Sequence, residues 1–303
     1  MSAVSTRAVV APTLRPARPG RGRGRRASRL SGGQRVGAVL VWLVVVANLA
    51  ILLWLAVSSL KTTRSIFDNP WSPPSHLEWG NYARAWSESR FGAAALNTLL
   101  VVAAASVLIV AMAAPAAYAL ARAGHRASGL VTAALAVGMG IPFQVVVIPL
   151  FVLLQHVGLT NSFAGLILVY VGTSLPFTVI LLTGFFRGLS SEMEEAAALD
   201  GAGAWRTFVS IMLPLVRSGL ITALMLNLIG LWNETFIALV LLQDADKQTL
   251  SLALLGFMQR QQYNGADWGG LFAGVCILVL PTLLVYAWLS RRIIEGLTLG
   301  SGK

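Results

Sequence analysis

AALNTLLVVAAASVLIVAMAAPAAYAL, residues Ala94 to Leu120, runs for 27 residues without one Asp, Glu, Lys or Arg. A helix rises about 1.5 Å per residue, so the stretch exceeds the roughly 20 residues needed to cross a hydrocarbon core. Five further apolar stretches of similar length flank it: Val36 to Leu60, Leu130 to Leu154, Phe163 to Phe186, Gly219 to Leu242 and Gly269 to Leu289. Lipid offers no partners for free backbone amides, and no alternating ten-residue pattern suggests a barrel, so these segments read as helices. The fold class expected is an all-α polytopic membrane protein with six transmembrane helices.

Composition agrees. The 303 residues are 56% hydrophobic and 12% charged, with mean hydropathy +0.73, where soluble domains carry about a quarter charged residues. A net charge of +11 would suggest nucleic-acid binding, but nine arginines (Arg7, Arg15, Arg18, Arg21, Arg23, Arg25, Arg26, Arg29 and Arg35) precede the first apolar segment. They are a topology signal instead. Arg122, Arg126, Arg187, Arg206, Arg217, Arg291, Arg292 and Lys303 fall on the same side if the N-terminus is inside. Both termini and the polar 187–217 loop are therefore expected in the cytoplasm.

Residues 1–35 are rich in Arg, Gly, Ser and Pro with no hydrophobic period, and are expected to be a disordered basic tail. The first apolar segment lacks a small-residue cleavage site and is expected to remain as an anchor. The 36–303 remainder is expected to be one six-helix transmembrane domain. Its 61–93 segment holds Pro70, Pro73 and Pro74 with Trp71, Trp79 and Trp86, and reads either as an ordered outer cap or as a solvated loop with interfacial anchors. Pro115, Pro142, Pro149 and Pro176 permit kinks within the second, third and fourth helices.

The 187–217 loop is the most informative polar segment. Ser191 with Glu194 has capping-box spacing, and Glu192, Glu194 and Glu195 favour a positive helix end, so a short helix is expected to begin here. It should stop at Asp200-Gly201, where Gly supplies a left-handed cap. A second amphipathic helix is expected from Ala204, with Trp205, Phe208, Val209 and Met212 on one side and Pro214 in the first turn of helix five. Ala196 and Ala197 form a small-sided ridge suited to a cleft, while Glu195 and Asp200 can pair with basic groups on a partner.

Written as a pattern, Glu195-Ala196-Ala197, Gly201 and Ile211-Met212-Leu213-Pro214 resemble the coupling loop of the permease subunits of bacterial ATP-binding-cassette importers. Asn81-Tyr82, Trp86, Ile141-Pro142, Ile148-Pro149, Gly158-Leu159, Asn161, Leu175-Pro176-Phe177, Trp232-Asn233-Glu234 and Glu295-Gly296-Leu297-Thr298 are similar to the carbohydrate branch of that family. The resemblance implies a cytoplasmic coupling helix between helices four and five, with Glu194, Glu195, Ala196, Ala197, Asp200, Gly201, Arg206 and Pro214 as ATPase-coupling residues. It also implies a second homologous permease subunit, two ATPase subunits and an extracytoplasmic solute-binding protein, all in a lipid bilayer. Ser190 stands where the family commonly has Pro, and the ending Leu299 to Lys303 departs from its usual small-residue tail.

Polar residues at membrane depth are costly and mark paths or interhelix contacts. The candidates for a translocation path are Gln144, Tyr170, Thr173, Ser174, Asn227, Trp232, Asn233 and Glu234, with Tyr170 and Trp232 as possible stacking surfaces. Glu234 lies about 20 residues past Pro214 and so near the outer side. No catalytic set is visible: His76, His125 and His156 lack metal-ligand spacing, and Leu30-Ser31-Gly32-Gly33-Gln34 spells an ATPase signature without any Walker A loop. The chain is expected to be no enzyme, to bind neither metal, cofactor nor nucleic acid, and to leave ATP hydrolysis to its partners. An importer permease for another solute such as an amino acid or peptide, and a gradient-driven secondary transporter, stand as alternatives.

Overall fold

The structure is a computed structural model that describes residues 32–300. Of the 1–35 tail, only its last four residues fall within that range, and they are helical; the remainder, and Ser301 to Lys303, lie outside the described residues. The chain divides into two compact units, Met1–Ala50 and Ile51–Lys303. The first, where described, is a single helix with an apolar, fully exposed surface from Val36 onward. That helix, α1 (Gly32–Ser58), ends in the second unit.

The second unit is helical, with no strand among the described residues. Its centre is α4 (Phe91–Arg122) packed along α7 (Phe163–Arg187). Val101, Ala105, Ile109, Ala113 and Ala117 recur every four residues on the buried face of α4, each at most 1% exposed. Lipid supplies no hydrophobic drive between helices, and the three alanines among them let backbones approach for van der Waals contact. On α7, Leu166 and Tyr170 are fully buried in one cluster with Val101, Ala105 and Ile109, and Leu182 and Phe186 in a second with Ala113 and Ala117.

Among the described residues, four helical segments are long and apolar enough to cross a membrane alone: Val36–Ser58, Phe91–Arg122, Phe163–Arg187 and Trp268–Ala287, the last within α14 (Trp268–Gly300). The third and fifth expected spans are broken. The span expected from Leu130 to Leu154, with a kink permitted at Pro142, forms two helices, α5 (His125–Met139) and α6 (Phe143–His156), set at 90°. Pro142 has no N–H and disfavours helical geometry at Ile141, so the break falls there. Pro115, Pro149 and Pro176, by contrast, sit inside continuous helices.

Beyond α7 come α8 (Glu192–Leu199), α9 (Ala204–Thr207), a wide π turn over Phe208–Met212 and α10 (Leu213–Leu215). The chain then bends by 75° into α11 (Arg217–Trp232). Pro214 therefore belongs to the lead-in helix, which corrects its expected place in helix five. Pro214 cannot donate to the preceding turn, and the π turn, closed by the Leu213 N–H on the Phe208 carbonyl, leads into it. The span expected to reach Leu242 stops at Trp232 and resumes as α12 (Phe236–Leu241).

The 61–90 segment folds into α2 (Thr63–Asp68) and α3 (Gly80–Glu88) at the Phe91 end of α4. Lys61 is 1% exposed, and its ammonium donates to the Asn69 and Pro70 carbonyls, both at 3.1 Å. Asn81 donates to the Ser59 and Lys61 carbonyls at 2.8 Å, and Arg84 pairs with Asp267 at 3.0 Å. Gly269 passes so close that an added Cβ would lie 2.5 Å from Asn81 Nδ2 and from the Lys61 carbonyl. These contacts satisfy an ordered cap. Burial raises the Tyr82 phenol above its ordinary range, partly offset by its 2.7 Å hydrogen bond with Ser59. A helix absent from the sequence reading, α13 (Leu250–Asn264), precedes α14 and packs Phe257 against Phe91.

Candidate functional site

At the Arg122 end of α4, the 188–216 segment forms a projecting knob. The capping box does not form. Ser191 itself has helical dihedrals and makes no side-chain cap; Ser190 Oγ instead accepts the Glu192 N–H at 3.3 Å, and the Ser191 carbonyl accepts those of Glu194 and Glu195. The Glu194 carboxylate turns to Arg122, whose Nε lies 2.9 and 2.8 Å from its two oxygens. A charge-assisted bond to a guanidinium outcompetes a reach back to a backbone amide. Both side chains are largely shielded, at 25% and 18% exposure.

The other end of α8 closes as the sequence predicts. Gly201 has φ +75°, the Gly201 N–H bonds the Ala198 carbonyl at 3.0 Å, and the Ala202 N–H bonds that of Ala197 at 2.9 Å. The pair is a Schellman motif, with orphan carbonyls satisfied by a residue in left-handed geometry.

The alanine ridge is only half as expected. Ala197 points inward at 3% exposure, while Ala196 is exposed along with Glu195, Asp200, Gly201 and Arg206. Two apolar side chains share that exposed tip: Leu199, 89% exposed, and Trp205, 72% exposed. Leu199 has no part in the pattern expected from the sequence, and of Trp205, Phe208, Val209 and Met212, expected on one side, only Phe208 and Met212 are buried. Leu199 lies four residues after Glu195, a spacing that puts both on one helix face and could have singled it out.

Aromatic packing anchors the knob. Phe208 lies 5.2 Å from Tyr118 of α4, 6.3 Å from Phe186 of α7 and 5.5 Å from Trp205 between ring centroids. Met212 is fully buried beside them. The knob is thus fixed to α4 and α7 by one ion pair and one aromatic cluster.

The eight candidate path residues separate. Asn227 is 7% exposed, and its amide donates to Thr178 Oγ1 at 3.1 Å and to the Ala223 carbonyl at 2.8 Å, an interhelix contact. Trp232 donates to the Leu278 carbonyl at 3.1 Å, linking α11 to α14. Tyr170 is fully buried, and its hydroxyl donates to Glu234 at 2.8 Å, so its ring is no open stacking surface within this chain. Gln144, Thr173 and Asn233 are exposed, and Ser174 is half-buried; Thr173 and Asn233 also bond carbonyls one turn back, at 2.9 Å.

Glu234 does the most. Its oxygens accept the Ile237 and Ala238 N–H groups at 2.7 and 3.2 Å, so it caps α12 across the break in helix five. At the far end of α12, Asn161 (φ 52°) donates its N–H to the Leu241 carbonyl and accepts those of Gln243 and Asp244 on Oδ1. Lys247 adds a 2.9 Å bond to the Asn161 carbonyl and a 3.0 Å pair with Asp244. Lys247 and Asn161 hold the Asp244 carboxyl below the usual carboxylate range. Sequence reading quoted Asn161 within a motif without a role, because its partners lie more than 80 residues away.

Comparison with known proteins gives the family and the fold. Residues 106–295 match the family described as binding-protein-dependent transport system inner membrane component. The diacetylchitobiose uptake system permease protein NgcG of Streptomyces coelicolor is 38% identical over 87% of this chain and 86% of its own. The trehalose transport system permease protein SugB of Mycobacterium tuberculosis is 34% identical over 88% and 96%. A chain in the crystal structure of a bacterial transporter that imports the acidic polysaccharide alginate superposes with TM-score 0.72, at 22% identity, over 86% of this chain and 98% of that one. With a family match across most of the apolar domain and relatives above 30% identity along nearly their full length, this chain belongs to the inner-membrane permease components of binding-protein-dependent ATP-binding-cassette transport systems.

Proposed function

We propose that this chain is one permease subunit of a carbohydrate importer, moving solute by alternating access driven from outside itself. The observation that carries this reading is the knob: an exposed tip of Glu195, Ala196, Leu199, Asp200 and Trp205 on a helix tied to both central spans. Exposed large apolar side chains beside charges on a rigid projection suit a protein partner. In this reading the partners at the knob are two ATPase subunits, which hydrolyse ATP, while this chain performs no bond chemistry. Glu194 serves the coupling from behind, as a brace.

Six spans follow if each bent pair crosses once, with the α5–α6 break inside the third. The excess of Lys and Arg then sets both termini and the knob in the cytoplasm of a bacterial inner membrane. The 61–90 cap faces outward, toward a solute-binding protein, and a second permease completes the path beside Gln144, Thr173, Asn233 and the α11–α12 break. Relatives named for diacetylchitobiose and trehalose favour a carbohydrate over an amino acid or peptide.

The test is a photo-crosslinking residue at Leu199 in vesicles holding the assembled system. It should capture the ATPase subunit, and the binding protein's ligand-dependent thermal shift across a sugar panel should name the solute. A knob that captures only lipid, or uptake that persists after ATP depletion, would sink the reading.

A further inference from the structure

Arg122 and Arg187 close α4 and α7 at the same end of the bundle, yet only Arg122 has an acid. Among the described residues, none of the ion pairs includes Arg187. Its Nη2 donates to Ser128 Oγ of α5, one neutral acceptor for a group with five N–H donors. Beside it opens a cavity of about 660 Å³ between the end of α4, α5 and α7. Ser128 and Arg187 form part of the wall, with Thr132, whose buried hydroxyl has no hydrogen-bond partner. The rest of the wall is largely methyl groups, from Ala121, Ala133 and Ala136.

An unmatched guanidinium and two hydroxyls call for an oxyanion, and a planar fork suits phosphate oxygens. The methyl wall calls for something apolar attached to it. Arg187 is the last residue of a segment long and apolar enough to cross a membrane, and the end of such a span lies at headgroup depth, where phosphodiesters joined to acyl chains are abundant. We propose that this cavity holds the headgroup of a membrane phospholipid, with Arg187 and the Ser128 and Thr132 hydroxyls on the phosphate and the alanines against the glycerol and first methylenes. A free phosphate would satisfy the donors and leave the methyl wall wet. The assignment rests on the proposed topology only for its leaflet, the inner one.

The experiment is native mass spectrometry of the assembled transporter with phosphatidylglycerol or inorganic phosphate added, beside the same assembly carrying R187Q, R187K, T132V or R126Q. Hydrogen bonds to a charged group contribute about 1.5–3 kcal/mol, so R187Q should weaken retention of one lipid per chain by about tenfold or more. R187K should keep most of it, T132V should lose less than R187Q, and R126Q, outside the cavity wall, should match the parent. Equal lipid retention in R187Q and the parent overturns the site. Phosphate bound in an Arg187-dependent way, with no such dependence for lipid, overturns the lipid assignment. Because the readout is lipid count and not uptake, its failure leaves the importer reading standing.

Discussion

Replacing Gly201 separates what the backbone requires from what a partner requires. At φ +75° an L side chain costs about 1–2 kcal/mol, which is about a 5- to 30-fold shift in the local conformational equilibrium. An added Cβ at Gly201 meets nothing within 4 Å in this chain, so Gly201→Ala carries only the dihedral cost; Gly201 is exposed, so Gly201→Leu can direct its longer side chain to solvent, and Gly201→Asn costs less, since Asn tolerates this geometry. In the proposed reading, a further loss with side-chain size arises outside the chain, from the partner's cleft that receives the knob. ATP-driven uptake in vesicles, normalised to inserted protein, should fall in the order Asn, Ala, Leu, with Leu near zero and insertion unchanged. Equal uptake for Ala and Leu would refute the idea that the turn sits in a close-fitting cleft; full uptake for all three would refute the role of the turn itself.

Four further outcomes follow from the geometry. A double-mutant cycle of Arg122→Gln and Glu194→Gln should show about 1–2 kcal/mol of coupling in thermal unfolding, between exposed pairs below about 1 and buried ones at about 3–5; coupling near zero would deny the brace. Gly219→Leu should destabilise by about 1–3 kcal/mol through overpacking, because its Cβ would lie 2.5 Å from Phe185 Cγ, whereas Gly230→Ala, with open space around it, should melt like the parent. Tyr170→Phe should cost about 1–3 kcal/mol in the same assay by removing a buried donor from Glu234, and Glu234→Ala more, since two N–H groups of α12 lose their acceptor. The depressed Asp244 carboxyl contributes stability that is complete above the ordinary carboxylate range and is lost as pH falls through its lowered value; a melting profile against pH should show that acid-side loss, flattened in Lys247→Met.

The sequence made legible what depends on neighbours in the chain. Apolar stretches long enough to span, the stop of α8 at Gly201, the buried pair Phe208 and Met212, and the proline break at Ile141-Pro142 all follow from local chemistry. What stayed hidden depends on partners far along the chain. Glu194 has capping-box spacing from Ser191, but Arg122 stands 72 positions away and offers a stronger bond. Tyr170 reads as a stacking surface until Glu234, 64 positions on, takes its hydroxyl. The break at Asn233-Glu234-Thr235 contains no Pro or Gly, so the fifth span reads as unbroken to Leu242. α13 escaped because its first half is apolar and its second, Gln259 to Gln262, is polar, which is the pattern of neither a span nor a long amphipathic helix.

One helix connects the two polar clusters. α7 is continuous from Phe163 to Arg187, with Pro176 accommodated inside it. Asn161, just before its start, and Tyr170, two turns in, hold α12 at both ends. Phe186, at its other end, packs against Phe208 of the knob. Packed helices with discrete arrangements transmit displacement better than loops do, because their interfaces resist continuous deformation. In the proposed cycle, a push on the exposed tip at Leu199 therefore reaches the α11–α12 break along a single element. Ala105, Ala113 and Ala117 bring the α4 backbone close to α7, so the two helices form one closely packed pair. The polar clusters at the ends, and not the apolar wall between them, then set which parts move together: α8 with α4 through Arg122, and α12 with α7 through Tyr170 and Asn161.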